Sequence, residues 1–201
     1  MPQLPTHLTD WGGSATRINN DINNGASMIL HRDHGAENGW SSPSYTTGNL
    51  SGLNNDDLTF FFSINCLTGK FNYGSECFAE ALHRYPKRAL GVIAATEVSY
   101  SFVNDAYVWG MWDGMWPDFD PGYGVIGPEN AMPGFANAYG KYYLQASSWP
   151  YNPGDKTYRV LFVPSLWRCL HNDLHRYTAK SDCSSRSGNS KRSNPIQHNS
   201  E

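Results

Sequence analysis

The chain has 201 residues, with 15 lysines and arginines against 18 aspartates and glutamates, for a formal net charge of −3. That length suits one domain of ordinary size or a portion of a larger one, and a slight, dispersed negative charge argues against a nucleic-acid surface. No apolar run approaches the length needed to cross a bilayer, no charged segment followed by an apolar one opens the chain as a signal peptide would, and Cys66, Cys77, Cys169 and Cys183 show no metal-ligand spacing.

Met1 to Ser14 is punctuated by proline and glycine and reads as irregular. Thr16 to Asn24 predicts a short helix closing near Gly25. The apolar run Ser27-Met28-Ile29-Leu30-His31 predicts a strand that ends in the polar cluster Arg32-Asp33-His34-Gly35. Glu37, Asn38 and Trp40 follow; they are expected either to shape the rim of a site or to form an ordinary polar loop. Pro43 and the Thr46-Thr47 pair read as a turn and a helix cap, placing a crossover helix near Thr47–Leu53.

The stretch Leu58-Thr-Phe-Phe-Phe-Ser-Ile-Asn-Cys66 is apolar and aromatic and stops at Leu67-Thr68-Gly69. It reads as a strand buried on both faces. Cys66 stands at its carboxyl end, where open α/β sheets place their ligand crevice, although a small buried packing residue is the commoner use of a free cysteine. A strand, a crossover and a second strand are parallel and right-handed, so both tips emerge on one edge. That edge receives His34 and Cys66. An imidazole beside a thiol can take its proton, and the thiolate can then attack a carbonyl. Gly35 lets a backbone N–H approach the developing oxyanion, and the Cys66 N–H is the second donor.

A loop, Gly69–Gly74, leads to Ser75 as the expected cap of a helix over Glu76–Tyr85, which Pro86 stops; Cys77 reads as packing. Ala89–Ala95 predicts a third buried strand, and its following loop carries Glu97, Ser99 and Tyr100 as candidate substrate-pocket residues. Asn104–Gly114 reads as helical, with Tyr107, Met111 and Trp109, Trp112 and Trp116 spaced for core packing. Pro117–Pro133 reads as a long surface loop, Phe135–Ser147 as an amphipathic helix, and Tyr158–Val163 as a last apolar segment. Residues 1–163 are therefore expected to form the domain. Residues 164–201 end in a Ser/Arg/Lys/Asn tail without apolar periodicity and are expected to be disordered and foreign to the fold, as after a frameshift or spliced readthrough.

A rival chemistry is a metal cluster of His31, Asp33 and His34. On a continuing strand, His31 and Asp33 would share one face and His34 the other, and no paired histidine motif lies downstream. His31 reads better as a satisfied strand-end histidine.

The passages Asp33-His34-Gly35-Ala36-Glu37-Asn38-Gly39-Trp40, Ser44-Tyr45-Thr46-Thr47, Ile64-Asn65-Cys66-Leu67-Thr68-Gly69-Lys70-Phe71 and Cys77-Phe78-Ala79-Glu80-Ala81-Leu82 together resemble the catalytic region of the gingipain family of cysteine peptidases, over roughly Asn23 to Trp149. The resemblance implies a caspase-like α/β fold, a mostly parallel sheet flanked by helices. It also implies a cysteine endopeptidase acting on protein or peptide substrates, with Cys66 as nucleophile and His34 as base. It requires no cofactor, allows structural calcium, and suggests an extracellular or cell-surface setting and other domains of a longer precursor as partners. Family members have further strands and helices before Ser27, so the amino-terminal part of the domain is expected to be missing, leaving an edge to be covered. An acidic partner for the histidine comes from upstream in the family; only Asp10 and Asp21 stand there, Asp33 is a poor substitute on an extended segment, and the partner stays unassigned. With a one-residue shift, Asp105 matches an acidic residue at the pocket base of the lysine-specific member; otherwise it is a first-turn helix aspartate. The competing outcome is a non-catalytic binding or structural remnant of such a domain.

Overall fold

The structure, a computed structural model, describes residues 12–85, 89–116, 119 and 131–147, and the backbone of 165–167. Ser14 caps the first helix, α1 (Ala15–Asn23), its hydroxyl accepting from the Arg17 N–H at 3.2 Å, and Gly25 just beyond it takes a left-handed φ of +94°. The chain then forms β1 (Met28–His31), followed by three short strands, β2 (Gly35–Ala36), β3 (Gly39–Ser41) and β4 (Ser44–Thr46), paired antiparallel in that order. A 3₁₀ helix spans Thr47–Gly52, and Asn49 Oδ1 accepts from the Thr46 N–H at 2.8 Å to close its amino end. Then come β5 (Thr59–Ser63), α2 (Phe78–Arg84), β6 (Ala89–Ala94), α3 (Ser101–Met115), α4 (Pro133–Ala146) and β7 (Ser165–Trp167).

The main sheet has the order β1-β5-β6-β7; β1, β5 and β6 are parallel, and β7 runs antiparallel to β6. Every residue of β5 is buried, and the period-two alternation of a strand sends its phenylalanines to opposite faces. Phe61 packs with Val92, Ile22, Leu50, Phe78 and Leu82 on the face covered by α1, the 3₁₀ helix and α2. Phe60 and Phe62 pack with Ile93, Val103, Tyr107, Met111 and Leu144 on the face covered by α3 and α4, where Trp112 meets Phe62 edge-on at 5.3 Å. This double burial is why the strand is a continuous apolar run. Each fully buried phenylalanine contributes about 2–3 kcal/mol by transfer from water.

Four details depart from the reading of the sequence. The crossover from β1 to β5 carries a three-stranded sheet besides the helix expected near Thr47–Leu53, which is the 3₁₀ helix Thr47–Gly52. Cys77, not Ser75, stands at the amino end of α2, with its N–H donating to Glu80 Oε2 at 2.9 Å. The third helix starts at Ser101, ahead of Asn104. β7 lies past Val163, so the sheet takes in backbone beyond the expected boundary. Asp10, Pro86, most of Pro117–Pro133, the segment Tyr158–Val163 and the tail after 167, with Cys169 and Cys183, fall outside the described residues.

Candidate active site

Because β1, β5 and β6 are parallel, with His31 opposite Ser63 and Ser63 opposite Ala94, their carboxyl ends share one edge. The segments leaving that edge are His34-Gly35, Asn65-Cys66 and Glu97 to Tyr100. Gly35 lies directly against the second of them. A Cβ at Gly35 would stand 2.8 Å from Asn65 Cγ, 2.9 Å from Asn65 Oδ1 and 3.0 Å from the Cys66 carbonyl oxygen, so only glycine permits this approach. The turn after Cys66 is in turn tied to the end of β6. Leu67, at φ +59°, donates its N–H to Glu97 O at 3.3 Å, and the Gly69 N–H reaches Ala95 O at 2.8 Å.

Cys66 is half-buried, and its sulfur sits in a cradle made by Ser99: the carbonyl oxygen at 3.3 Å, the backbone nitrogen at 3.4 Å and Oγ at 3.8 Å. Among the described residues these are its hydrogen-bonding partners, and the His34 ring is not bonded to it. The His34 side chain is 84 % exposed; its backbone N–H donates to Asp33 Oδ1 at 2.7 Å, and its Nε2 stands 4.0 Å from the same oxygen. β1 ends at His31, so Asp33 and His34 lie in a turn where strand alternation no longer separates them. Asp21, the other acidic candidate, is in α1, which joins the opposite end of β1.

Two backbone donors on these loops have no acceptor within the sheet. Ser41 N–H donates to His34 O at 3.0 Å, which makes His34–Ser41 a bonded pair of the hairpin and Gly35–Trp40 a non-bonded one. The Gly35 N–H is thereby turned away from β3. The Cys66 N–H has no acceptor among the described residues.

Under this edge lies a buried polar network that the sequence reading did not anticipate. Asn65, fully buried, donates from Nδ2 to His31 Nδ1 at 2.8 Å, and its Oδ1 accepts from Thr68 Oγ1 at 2.7 Å and Ser63 Oγ at 3.2 Å. Trp40 Nε1 donates to Ser63 Oγ at 2.8 Å. His31 Nε2 is left to carry the ring proton and donates to Ser42 O at 3.2 Å. Burial pushes the His31 pKa below its ordinary value, with the Ser42 carbonyl opposing more weakly. The ring stacks on Trp40 at 4.4 Å. With both nitrogens engaged, His31 has none to offer a metal, and no three His, Cys, Asp or Glu side chains gather as a metal site among the described residues.

Two expected pocket residues have partners within the chain. Trp40 is 3 % exposed; in β3 it points with Tyr45 into the core, so it supports the site from beneath rather than lining a rim. Asp105 is ion-paired with Arg32 Nε at 2.6 Å, and Arg32 also donates to Ser101 O at 2.6 Å, so its carboxylate is already matched within the chain. Glu37, half-buried, sits in the β2–β3 turn, and its carbonyl accepts from the Phe78 N–H at 2.7 Å while the Ala79 N–H reaches Thr68 O at 2.9 Å. The first turn of α2 thus clamps both loops. Glu97 and the exposed Tyr100 lie on the same loop as Ser99.

Residues 5–162 match the sequence profile of Peptidase family C25. The chain belongs to peptidase family C25. It is 32% identical over 93 residues to Gingipain R2 of Porphyromonas gingivalis, an alignment covering 43% of this chain and 13% of that protein. It is 30% identical over 92 residues to Lys-gingipain of the same species, covering 45% and 5% respectively. The fold matches the crystal structure of the Arg-specific cysteine proteinase gingipain R with a TM-score of 0.66 at 22% identity, over 79% of this chain and 36% of that one. A complex of the P. gingivalis RgpB pro- and mature domains matches with the same TM-score, over 79% and 37%. The chain therefore spans a small part of these curated relatives and little over a third of the solved chains. Within that span it has the caspase-like architecture of family C25, a mostly parallel sheet flanked by helices.

Proposed function

We propose that this chain carries the catalytic edge of a C25 cysteine endopeptidase, with Cys66 as nucleophile and His34 as general base and then acid. The observation that supports the reading most is the contact of Gly35 with the Asn65–Cys66 peptide. It brings the His34-Gly35 turn against the Asn65–Cys66 peptide, and the reading takes the Gly35 and Cys66 N–H groups as the two oxyanion donors. The His34 ring is exposed and held by its backbone and by Asp33, and the reading has it turn toward the sulfur; hydrogen bonds of this kind often tighten only with substrate present.

His34 would take the thiol proton, and the thiolate would add to the peptide carbonyl. The resulting oxyanion would be met by the two N–H groups. Collapse would pass the proton from His34 to the leaving amine and leave a thioester on Cys66, which water hydrolyses. Protein or peptide is the substrate class, met by Glu37, Glu97 and Tyr100 around the crevice. Hydrolysis of Lys- and Arg-containing fluorogenic peptides by the chain, against Cys66→Ala, tests this. Turnover that disappears with the sulfur supports the assignment, and equal turnover in both removes it.

The second reading is a catalytically silent remnant that binds or braces rather than cleaves. Its support is the absence, among the described residues, of a bond between the His34 ring and the Cys66 sulfur. It predicts that Cys66 reacts with iodoacetamide no faster than an unactivated thiol.

A further inference from the structure

We propose that Ser99 is a positioning residue for the Cys66 sulfur, its backbone N–H and hydroxyl receiving the charge of the thiolate while Asn104 sets the direction of the hydroxyl. The inference rests on the reading of Cys66 as nucleophile and names a residue acting through it.

Three atoms of Ser99 surround the sulfur and do different work. In the resting thiol, the S–H donates to the Ser99 carbonyl at 3.3 Å. Once the proton has passed to His34, that carbonyl has nothing to accept. The donors left on the sulfur are then the Ser99 N–H at 3.4 Å and the Ser99 hydroxyl at 3.8 Å. Hydrogen bonds to the charged form favour it. The hydroxyl can serve only if its hydrogen points at sulfur, and Asn104 decides that. Asn104 is 3 % exposed, is held in the first turn of α3 by its N–H to Tyr100 O at 2.8 Å, and donates from Nδ2 to Ser99 Oγ at 3.0 Å. With an acceptor site of Oγ occupied by that donor, the hydroxyl hydrogen is kept off Asn104 and left available to the sulfur. The flanking Val98 and Tyr100 are exposed, so the loop turns Ser99 alone inward between them.

The charged groups on the surrounding segments are Arg32, Asp33 and His34 after β1, Glu37 in the hairpin, Lys70 after Cys66, Glu97 after β6, and Asp105 on α3, which pairs with Arg32. A change at Ser99 leaves all of them in place.

The test is the pH dependence of Cys66 alkylation in the full chain between about pH 5 and 9, followed by the mass of the Cys66 peptide. The thiolate displaces iodide from iodoacetamide, forming one C–S bond. Ser99→Ala keeps the backbone donor and loses the hydroxyl, so the midpoint of the rate profile should move up by roughly half a pH unit to one unit, a slowing of about three- to tenfold on its acid side. Ser99→Thr should restore it. Asn104→Leu, which removes the orienting donor, should move it the same way by less. A Ser99→Ala protein with native thermal unfolding and a profile superimposed on an acid-reactive wild type overturns the role of Ser99 and leaves Cys66 as nucleophile. A wild type that reacts only as an ordinary thiol does removes both.

Discussion

Gly35→Ala is the substitution that probes the site's geometry most sharply. The added methyl would meet Asn65 Cγ at 2.8 Å, Asn65 Oδ1 at 2.9 Å and the Cys66 carbonyl at 3.0 Å, where ordinary contacts begin at 3.4 Å. Asn65 cannot swing aside, because hydrogen bonds to His31, Thr68 and Ser63 fix it. The Cys66 carbonyl is held as well, accepting from the Thr68 N–H at 2.7 Å. The His34-Gly35 turn must therefore back away by several tenths of an ångström. Overpacking of this kind costs about 1–3 kcal/mol. A displacement approaching ~1 Å between reacting groups costs about a hundredfold in rate. The φ of Gly35 is not left-handed, so the effect is steric alone. Urea unfolding followed by tryptophan fluorescence gives the first quantity, and peptide hydrolysis or Cys66 alkylation gives the second. Gly74→Ala, with nothing within 4 Å of the new methyl, is the matched control and should be silent. A Gly35→Ala protein as stable and as reactive as wild type would refute the contact between the two loops.

His31 is buried neutral, with its folded pKa below the ordinary 6.5, so the unfolded chain takes up a proton that the folded one refuses. Stability is unaffected by this group above pH 6.5 and falls as the pH drops below it, by up to about 1.4 kcal/mol per pH unit until the folded pKa is reached. His31→Phe should flatten that part of the stability profile, and unchanged slopes would contradict the burial argument. Cys77 is fully buried, and its thiol is pushed up to about 11, chiefly by desolvation, so in the native state it should resist iodoacetamide while Cys66 reacts. Equal labelling of the two, read by peptide mass, would count against both environments. Asp105→Asn removes a half-exposed ion pair and should cost less than about 1 kcal/mol. It should leave any Lys or Arg preference unchanged, and a lost preference would return Asp105 to the substrate pocket.

The three long strands were legible because each is a run of apolar residues longer than chance, bounded by polar residues and glycine. The histidine–glycine and cysteine passages then marked which ends of those strands mattered. The small sheet was not legible: Gly35-Ala36, Gly39-Trp40-Ser41 and Ser44-Tyr45-Thr46 are too short to show a period, so Trp40 read as a rim residue rather than as the core residue its place in β3 makes it. Partners far apart in sequence were hidden for a different reason. Arg32 meets Asp105, and Ser99 meets Cys66, only because parallel pairing brings the ends of β1, β5 and β6 together. The polar network of Ser63, Asn65 and Thr68 left a trace, three hydrogen-bonding side chains where an apolar strand ends. Their joint burial, however, is a property of the packed edge.

The proposed dyad is tested most directly by the rate at which iodoacetamide modifies Cys66 at about pH 6, in the wild type and in His34→Ala. An imidazole that shares the thiol proton should make the wild type react at least about tenfold faster than the variant. Indistinguishable rates, with both proteins folded, would mean that the ring of His34 and the sulfur of Cys66 do not act together.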